Sequence, residues 1–279
     1  MLTQAEKGAA FAELHKRTEA FIIPNPWDAG SARLLAHLGF EALATTSAGY
    51  AFSLGKADNT VSRDETLAHA AVLAAATDLP VSVDLEKGFG DAPGIVAETI
   101  RLTAGSGAVG GSIEDSTGSP DNPIYDRALA VARIQAAADA AHSLPFPFML
   151  TARAENYLVG KPDLKDTIER LQLYQEAGAD VLYAPGLTTR DDIATLVSSV
   201  DRPVNVLMGM QGIKLSRAEL SAMGVKRISV GAALARSALG AFLRAAEEMR
   251  EHGTFGFVED AANSRMLNSI FSTERGSAG

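Results

Sequence analysis

Acidic side chains and one arginine lie at the ends of three consecutive apolar runs in this 279-residue chain. Asp84 and Glu86 end the first run, Glu114 lies near the end of the second, and Arg153 ends the third. Side chains alternate with period two along a strand, so Asp84 and Glu86 are predicted to share a face. Carboxylates gathered without matching lysines need a cation, and Mg²⁺, or Mn²⁺ in its place, prefers such oxygen ligands. We therefore predict a metal site formed by Asp84, Glu86 and Glu114.

Arg153 is predicted to anchor an acidic substrate, because its planar guanidinium can bind both oxygens of a carboxylate. Ser47 and the neighbouring backbone N–H groups are candidates to bind another anionic oxygen. The simpler alternative is structural: the acids cap helices or form ion pairs, Arg153 bridges to Glu114 or Glu155, and Ser47 lies in a turn. Three acids and one arginine on adjacent strands favour a functional site over that alternative.

The elements that must position these residues are eight short β-like runs that alternate with helical segments. Most of the runs are apolar over several residues, as parallel strands buried on both faces are. They cover residues 21–24, 42–47, 81–86, 110–115, 148–153, 181–184, 203–207 and 227–231. Helices are predicted within 1–20 and over 62–77, 92–104, 124–141, 164–177, 189–200 and 232–252.

Eight such units in series predict an α/β fold of the (β/α)₈ barrel class, in which chemistry lies at the carboxyl ends of the strands. The alternative is a doubly wound open sheet. That fold usually has fewer strands and an early glycine-rich dinucleotide turn, whereas the first run here leads into the segment PNPWDAG. We predict one domain over 1–279, with an N-terminal helix and an apolar C-terminal extension, 254–279, that caps the barrel or packs on a neighbouring subunit.

Composition excludes several classes of protein. The chain has no cysteine, so disulfides, thiolate nucleophiles and cysteine-ligated zinc are excluded. Its net charge of −9 argues against a nucleic-acid partner. No apolar run reaches the roughly 18 residues that a membrane span needs, and the charged N-terminus does not match a signal peptide. We expect a cytoplasmic protein with no membrane partner.

The chain resembles the phosphoenolpyruvate mutase/isocitrate lyase superfamily over nearly its whole length. The motifs that carry the resemblance are NPWDAGSARLLAHLGFEALATTSAG, LGKAD, PVSVDLEKGFG, GGSIED, TARAE and YQEAGADVLYAPG. Members of this superfamily act on α-keto or enol acids at C–C or P–C bonds. They include mutases, phosphonopyruvate hydrolase, oxaloacetate decarboxylases and hydrolases, and isocitrate or methylisocitrate lyases. The resemblance also implies a homodimer or homotetramer.

The resemblance implies roles for residues outside the acidic cluster. Ser47, with the backbone of Ala48 and Gly49, matches the loop that binds the substrate carboxylate. Asp58 in LGKAD matches an active-site aspartate that would serve a hydrolytic or proton-transfer step. Asn122 lies where some mutases place a substrate-binding asparagine on a mobile loop, and residues 116–123 would then form a lid.

The resemblance also covers the cluster itself. Asp84 and Glu86 stand at the two aspartate positions of the D-x-D-x-G-[YF]-G segment, and Glu114 matches the glutamate on the metal side. Arg153 matches the arginine that holds the substrate acid. Asn205, on the seventh run, is a further candidate for substrate binding.

The chain departs from the family pattern at three places. Lyases carry a K-[KR]-C-G-H segment whose cysteine is the proton donor, and this chain reads STGSPDNPIYD over 116–126. Glu86 replaces an aspartate, and Lys87 follows where a neutral residue is usual, so that it could pair with Glu86. Tyr183 stands where the family has an acid or a histidine.

The leading prediction is a Mg²⁺-dependent enzyme that makes or breaks a C–C or P–C bond next to the carbonyl of a small anionic α-keto acid, through a metal-stabilised enolate. Oxaloacetate-like and phosphonopyruvate-like acids are the expected substrates. The alternatives are a cysteine-free lyase of the methylisocitrate type, a Schiff-base aldolase that uses Lys87, and a non-catalytic barrel that binds a metabolite.

Overall fold

Eight parallel strands form a barrel in the computed structural model, which describes residues 2–272. Their order in the sheet is β1-β8-β7-β6-β5-β4-β3-β2, and the backbone N–H of Ala44 donates to the carbonyl of Pro24 over 3.1 Å, which joins the two ends of the sheet. The predicted (β/α)₈ barrel is confirmed. The strands are β1 Phe21–Ile23, β2 Leu43–Ala44, β3 Val81–Asp84, β4 Gly110–Glu114, β5 Met149–Arg153, β6 Val181–Tyr183, β7 Val204–Leu207 and β8 Arg227–Ser229.

Helices surround the barrel and most begin at a side-chain cap. Ser62 caps α4 by accepting from the N–H of Glu65, and the carboxylate of Glu65 accepts from the N–H of Ser62, so two free helix-end donors are satisfied. The helices are α1 Gln4–Leu14, α2 Ala29–His37, α3 Ser47–Ser53, α4 Arg63–Ala76, α5 Pro93–Gly105, α6 Arg127–His142, α7 Leu164–Glu176, α8 Arg190–Ser198, α9 Arg217–Ala222, α10 Ala233–His252 and α11 Ser264–Ser272, with a 3₁₀ turn over Gly256–Asp260.

Two predicted boundaries are wrong for the same reason, which is capping. The run 42–47 is a strand only over Leu43–Ala44, because Thr46 accepts from the N–H of Gly49 and starts α3. The helix predicted from residue 124 starts at Arg127, after the cap Asp126. Ile124 instead pairs with Ser116 in a short antiparallel bridge.

The core lies between the strands and the helices, where apolar side chains of both layers are buried. By contrast, the space enclosed by the strands is lined largely by polar side chains, among them Ser82, Asn205, Arg227 and Ser229, all of which are buried. The barrel therefore encloses a polar cavity, and this cavity positions the site.

The C-terminal extension returns to the barrel. The guanidinium of Arg33 on α2 lies 5.6 Å from the ring centre of Phe271, and its Nη2 donates to the carbonyl of Ile270 over 3.2 Å. Contact with a neighbouring subunit stays a prediction, and residues 273–279 of the predicted extension lie outside the described residues. Within the described range, every helix is too short or too polar to cross a lipid bilayer.

Candidate active site

Arg153, the last residue of β5, forms ion pairs with three carboxylates. Its Nη1 lies 2.9 Å from Asp84 Oδ1, its Nη2 lies 3.0 Å from Glu114 Oε2, and its Nε lies 2.8 Å from Glu155 Oε1. The strands β3, β4 and β5 are neighbours in the sheet, and their carboxyl ends meet at one rim. The predicted convergence of Asp84, Glu114 and Arg153 is therefore present. Arg153 also forms both of the ion pairs that the structural alternative predicted, one with Glu114 and one with Glu155.

Asp84 connects this cluster to the loops that follow β2 and β3. Its Oδ2 accepts from the backbone N–H of Ser47 over 3.3 Å, and its Oδ1 accepts from the N–H of Glu86 over 3.3 Å. Its own N–H donates to Thr45 Oγ1 over 2.8 Å. Asp84 is thus held by residues from the ends of both β2 and β3.

Glu86 lies beside the cluster, but not because of strand alternation as predicted. The strand β3 ends at Asp84, and Glu86 has a φ of 49°, so the two residues are not related by strand alternation. Burial, followed by the charges of Asp84 and Glu114, raises the pKa of Glu86 to about 8. The argument from period two is wrong, but Glu86 still lies within electrostatic range of the two other predicted ligands.

Glu114 and Glu155 lie deeper than Glu86. Burial raises the pKa of Glu114 although Arg153 opposes the shift, and burial also raises the pKa of Glu155 to about 8. The hydroxyl of Ser116 donates to Glu114 Oε1 over 2.5 Å. Asp84, Glu114 and Glu155 therefore share the single guanidinium of Arg153, and Glu86 lies beside them with no ion pair to a described residue.

Ser47, Ala48 and Gly49 form the first turn of α3, which begins directly above Asp84. A Cβ atom on Gly49 would lie 2.6 Å from Thr46 Cγ2 and 3.2 Å from Ala235 Cβ, so this turn has no room for a larger residue. The backbone N–H groups of a first helical turn have no partner within the helix and attract anions. Here the N–H of Ser47 already donates to Asp84 Oδ2 and that of Gly49 to Thr46 Oγ1, so the contact with a substrate oxygen stays a prediction.

Asp58 lies on the segment between α3 and α4. Loss of water contact, and after it the charge of Asp84, raises the pKa of Asp58, while the N–H of Asn59, the Ser47 hydroxyl and Arg153 act in the opposite direction. The interactions with Ser47, Asp84 and Arg153 place Asp58 beside the cluster. Its assignment as a catalytic residue stays a prediction.

The two asparagines predicted to bind substrate occupy different environments. Asn122 is exposed, and its carbonyl accepts from the hydroxyl of Thr117 within the loop 116–123. Asn205 is buried in the cavity, where its Nδ2 donates to Ser229 Oγ over 2.9 Å and its Oδ1 accepts from Arg227 Nε over 3.0 Å. Both the amide nitrogen and the amide oxygen of Asn205 therefore already have hydrogen-bond partners within the chain.

Lys87 does not pair with Glu86. Its Nζ lies 3.0 Å from Asp91 Oδ1 and donates to the carbonyl of Thr117 over 2.9 Å. Lys87 thus ties the β3 loop to the loop 116–123.

Arg133 on α6 was not predicted and supports the same loop. It is 1% exposed, and it donates to the carbonyls of Lys87, Gly90 and Asp91. Its guanidinium lies 4.2 Å from the ring centre of Tyr125, whose hydroxyl donates to Asp91. One arginine among the small residues of the segment ALAVARIQAAA was a signal that could have identified it.

Arg227 at the start of β8 is the second residue that sequence reasoning missed. It lines a cavity of about 60 Å³ together with Asn25, Asp84, Arg153 and Ser229, among others. A charged residue opening an otherwise apolar strand was the available signal.

A magnesium ion suits the donor chemistry of this rim. Asp84, Glu86 and Glu114 supply oxygen atoms only, and no described residue donates a hydrogen bond to the carboxylate of Glu86. Within residues 2–272 no three acidic or histidine side chains are placed as ligands of one ion, because Arg153 lies between Asp84 and Glu114 as their shared counter-charge. The ligand assignment of these three residues stays a prediction.

Comparison with known proteins identifies the family. The sequence model of the family described as Phosphoenolpyruvate phosphomutase matches residues 11–250. A crystal structure of a putative lyase/mutase from Burkholderia cenocepacia J2315 is 65% identical, covers 98% of each chain and superimposes with a TM-score of 0.96. The 2-methylisocitrate lyase of Escherichia coli is 31% identical over 205 residues, which is 71% of this chain and 68% of that enzyme.

Two further solved structures share the fold. Oxaloacetate acetylhydrolase in complex with the product oxalate is 26% identical over 96% of this chain and 93% of that chain, with a TM-score of 0.84. A phosphonopyruvate hydrolase in complex with oxalate and Mg²⁺ is 21% identical over 97% and 95% of the chains, with a TM-score of 0.85. The match of the family model over residues 11–250 shows that the chain belongs to the phosphoenolpyruvate phosphomutase family, and with it to the phosphoenolpyruvate mutase/isocitrate lyase superfamily of enzymes.

Proposed function

We propose that this enzyme acts on a small α-keto acid in a Mg²⁺-dependent reaction that makes or breaks the C–C or P–C bond next to the carbonyl. Substrates of the oxaloacetate or phosphonopyruvate type suit it best. The observation that carries the proposal is the convergence of Asp84, Glu86 and Glu114 around Arg153 at the carboxyl ends of the strands. In barrels of this class, that rim is where chemistry takes place.

The charge at the rim supports a divalent cation. Asp84, Glu114 and Glu155 share one guanidinium, and burial, followed by the charges of Asp84 and Glu114, raises the pKa of Glu86 to about 8. A bound cation would stabilise the ionised forms of these acids. Asp84, Glu86 and Glu114 would hold the ion. When bound, Mg²⁺ supplies a Lewis acid that stabilises the negative charge developing on the keto oxygen.

The size of the cavity supports a small substrate. One water molecule needs roughly 10–15 Å³ of this kind of volume, and the cavity measures about 60 Å³. The cavity is therefore small, which favours a compact acid over a bulky substrate. The oxaloacetate acetylhydrolase that shares this fold was solved with oxalate, which is consistent with this size.

The chain's own residues account for orientation and proton transfer. Arg153 and the first turn of α3, Ser47 to Gly49, would bind the substrate carboxylate. Asp58 would move a proton or orient a water molecule, because its raised pKa brings its protonated form closer to neutral pH.

A C–C lyase of the methylisocitrate type is the second candidate, and the likeness to 2-methylisocitrate lyase favours it. The chain has no cysteine, so a cysteine cannot be its proton donor. Product analysis distinguishes this candidate from a decarboxylase or hydrolase.

The test is an activity screen of oxaloacetate, phosphonopyruvate, 2-methylisocitrate and related acids of three to seven carbons, each with Mg²⁺ and with a chelator. At least one acid is expected to turn over in a Mg²⁺-dependent way. Asp84→Asn should then lower kcat/KM by on the order of 10³-fold, since Lewis-acid stabilisation is worth several kcal/mol and each 1.36 kcal/mol is tenfold.

Asp139→Asn, at an exposed position of α6, is the matched control and should leave activity unchanged. Turnover that is indifferent to the chelator, or to Asp84→Asn, would contradict the metal site. No turnover of any acid would favour the non-catalytic barrel.

A further inference from the structure

Two arginines line the polar cavity at different depths. Arg153 ends β5 and belongs to the rim, whereas Arg227 begins β8. The Nη2 of Arg227 donates to Thr151 Oγ1, and Thr151 precedes Arg153 by two residues on β5, so the guanidinium of Arg227 lies below Arg153 in the barrel. We call Arg227, Asn205 and Ser229 the cavity floor.

Arg227 is a buried cation without a carboxylate partner. It is 5% exposed, its Nε and Nη2 donate to the neutral oxygens of Asn205 and Thr151 over 3.0 and 2.9 Å, and its Nη1 has no acceptor among residues 2–272. Burial lowers the pKa of Arg227 to about 10, and Tyr183 is the one group that acts against this.

An isolated buried charge is costly, so its presence requires an explanation. Taking an ionised group out of water without a counter-charge destabilises a fold, and an apolar residue of similar size is often neutral or better. A buried charged group with a perturbed pKa that lines a cavity is a candidate functional residue. The anion that would compensate Arg227 is therefore expected to come from outside the chain.

The cavity is polarised along its length. At the rim, Arg153 is neutralised by Asp84, Glu114 and Glu155, and the oxygen donors of the acids there suit a cation. At the floor, positive charge is uncompensated and favours an anion. A small molecule that carries an acid group at each end matches this arrangement better than a monoacid does.

We propose that Arg227 binds a carboxylate of the substrate at the cavity floor and so selects small dianionic acids over monoacids. This inference rests on the proposed function for the identity of the substrate, but the floor can be tested without turnover. The proposal places the remote acid group of the substrate at the floor and its keto acid end at the rim.

The experiment measures the binding of oxalate and of pyruvate to the full chain by isothermal titration calorimetry, without metal and with Mg²⁺. Arg227→Met should weaken oxalate binding by at least about 10-fold, equivalent to about 1.4 kcal/mol, and should weaken pyruvate binding much less. Arg101→Met, at an exposed position of α5, is the matched control and should bind both acids as the parent protein does.

Asn205→Asp provides a second variant of nearly equal shape. It would place a carboxylate about where Asn205 Oδ1 now lies, 3.0 Å from Arg227 Nε, and so neutralise the floor from within the chain. Oxalate binding should fall as in Arg227→Met, which keeps the test valid if one variant does not fold.

The proposal is overturned if the parent protein does not bind oxalate, or if both variants bind oxalate and pyruvate in the parent ratio. Failure of the proposed function has a different outcome: no keto acid turns over, while oxalate binding still depends on Arg227. Conversely, turnover with an unchanged KM in Arg227→Met would support the proposed function and contradict the role of Arg227 in substrate binding.

Discussion

Arg153 and Arg227 line one cavity, but acids surround Arg153 and neutral groups surround Arg227. Three carboxylates contact Arg153, whereas Arg227 contacts only neutral oxygens. The difference shows that burial alone does not define what an arginine does. At the rim the arginine balances acids that could also bind a metal ion, and at the floor it is available to a ligand.

The largest expected effect is on stability and differs in size between the two arginines. Arg153→Met leaves three carboxylates without a counter-charge and should lower the free energy of unfolding by about 3–5 kcal/mol, as removing one partner of a buried pair does. Arg227→Met loses two hydrogen bonds but also removes an uncompensated buried cation, and because these effects offset one another it should change the free energy of unfolding by no more than about 1 kcal/mol. Urea denaturation of the metal-free protein at pH 7.5 measures both. Equal losses would abolish the distinction between rim and floor.

The next effect concerns Arg133, which supports the rim from outside. Arg133→Met removes three charge-assisted hydrogen bonds, to the carbonyls of Lys87, Gly90 and Asp91. It should cost about 3 kcal/mol, which is below the sum of three bonds at about 1.5–3 kcal/mol each because contributions of neighbouring bonds are not additive. Tyr125→Phe keeps the aromatic ring under the guanidinium and should cost about 1 kcal/mol. The two unfolding curves, measured side by side, test whether the β3 loop depends on Arg133.

A smaller effect is the dependence of stability on pH between 6.5 and 8. The pKa values of Glu86 and Glu155 in the folded protein are raised to about 8, from an ordinary value of 4.5. Between these values the folded protein binds more protons than the unfolded chain, so stability falls as pH rises. The buried His15, whose pKa is lowered to about 3, acts in the opposite direction only below its ordinary value of 6.5.

The melting temperature of the metal-free protein is therefore expected to drop from pH 6.5 to pH 8. Glu86→Gln should make this drop smaller, and Arg227→Met should leave the slope unchanged. A melting temperature that rises over this interval would show that the rim is not deficient in positive charge.

The smallest effect is expected at Lys87. Its ammonium group is occupied by Asp91 and the carbonyl of Thr117, so we expect no Schiff base and no covalent trapping by borohydride in the presence of keto acids. Lys87→Met should cost no more than about 1 kcal/mol, the usual value of a partly exposed ion pair. A trapped adduct detected by mass spectrometry in the parent protein, and absent from the variant, would restore the aldolase alternative.

Much of the rim was predictable because strand ends in a parallel barrel meet at one side. Asp84, Glu114 and Arg153 each end a recognisable apolar run, so their convergence followed from counting strands, and the ion pairs at 2.9 and 3.0 Å confirm it. The family was predictable for the same local reason, since its motifs surround these strand ends.

The position of Glu86 was not predictable, because strand alternation stops before it. Glu86 and Phe89 have φ values of 49° and 62°, and the loop that contains them is held by Arg133 from α6. A backbone conformation stabilised by a side chain more than forty residues away leaves no periodic pattern in the local sequence.

The sequence alone determined the eight strands, the helices between them, and the acids and the arginine at the carboxyl ends of three neighbouring strands, because apolar periodicity and capping are local properties. Only the tertiary structure decided that Arg153 serves three carboxylates at once and that Arg227 lies in the same cavity without any. The physical reason is that closing the barrel sets which inward side chains face one another, and this depends on the register of all eight strands together.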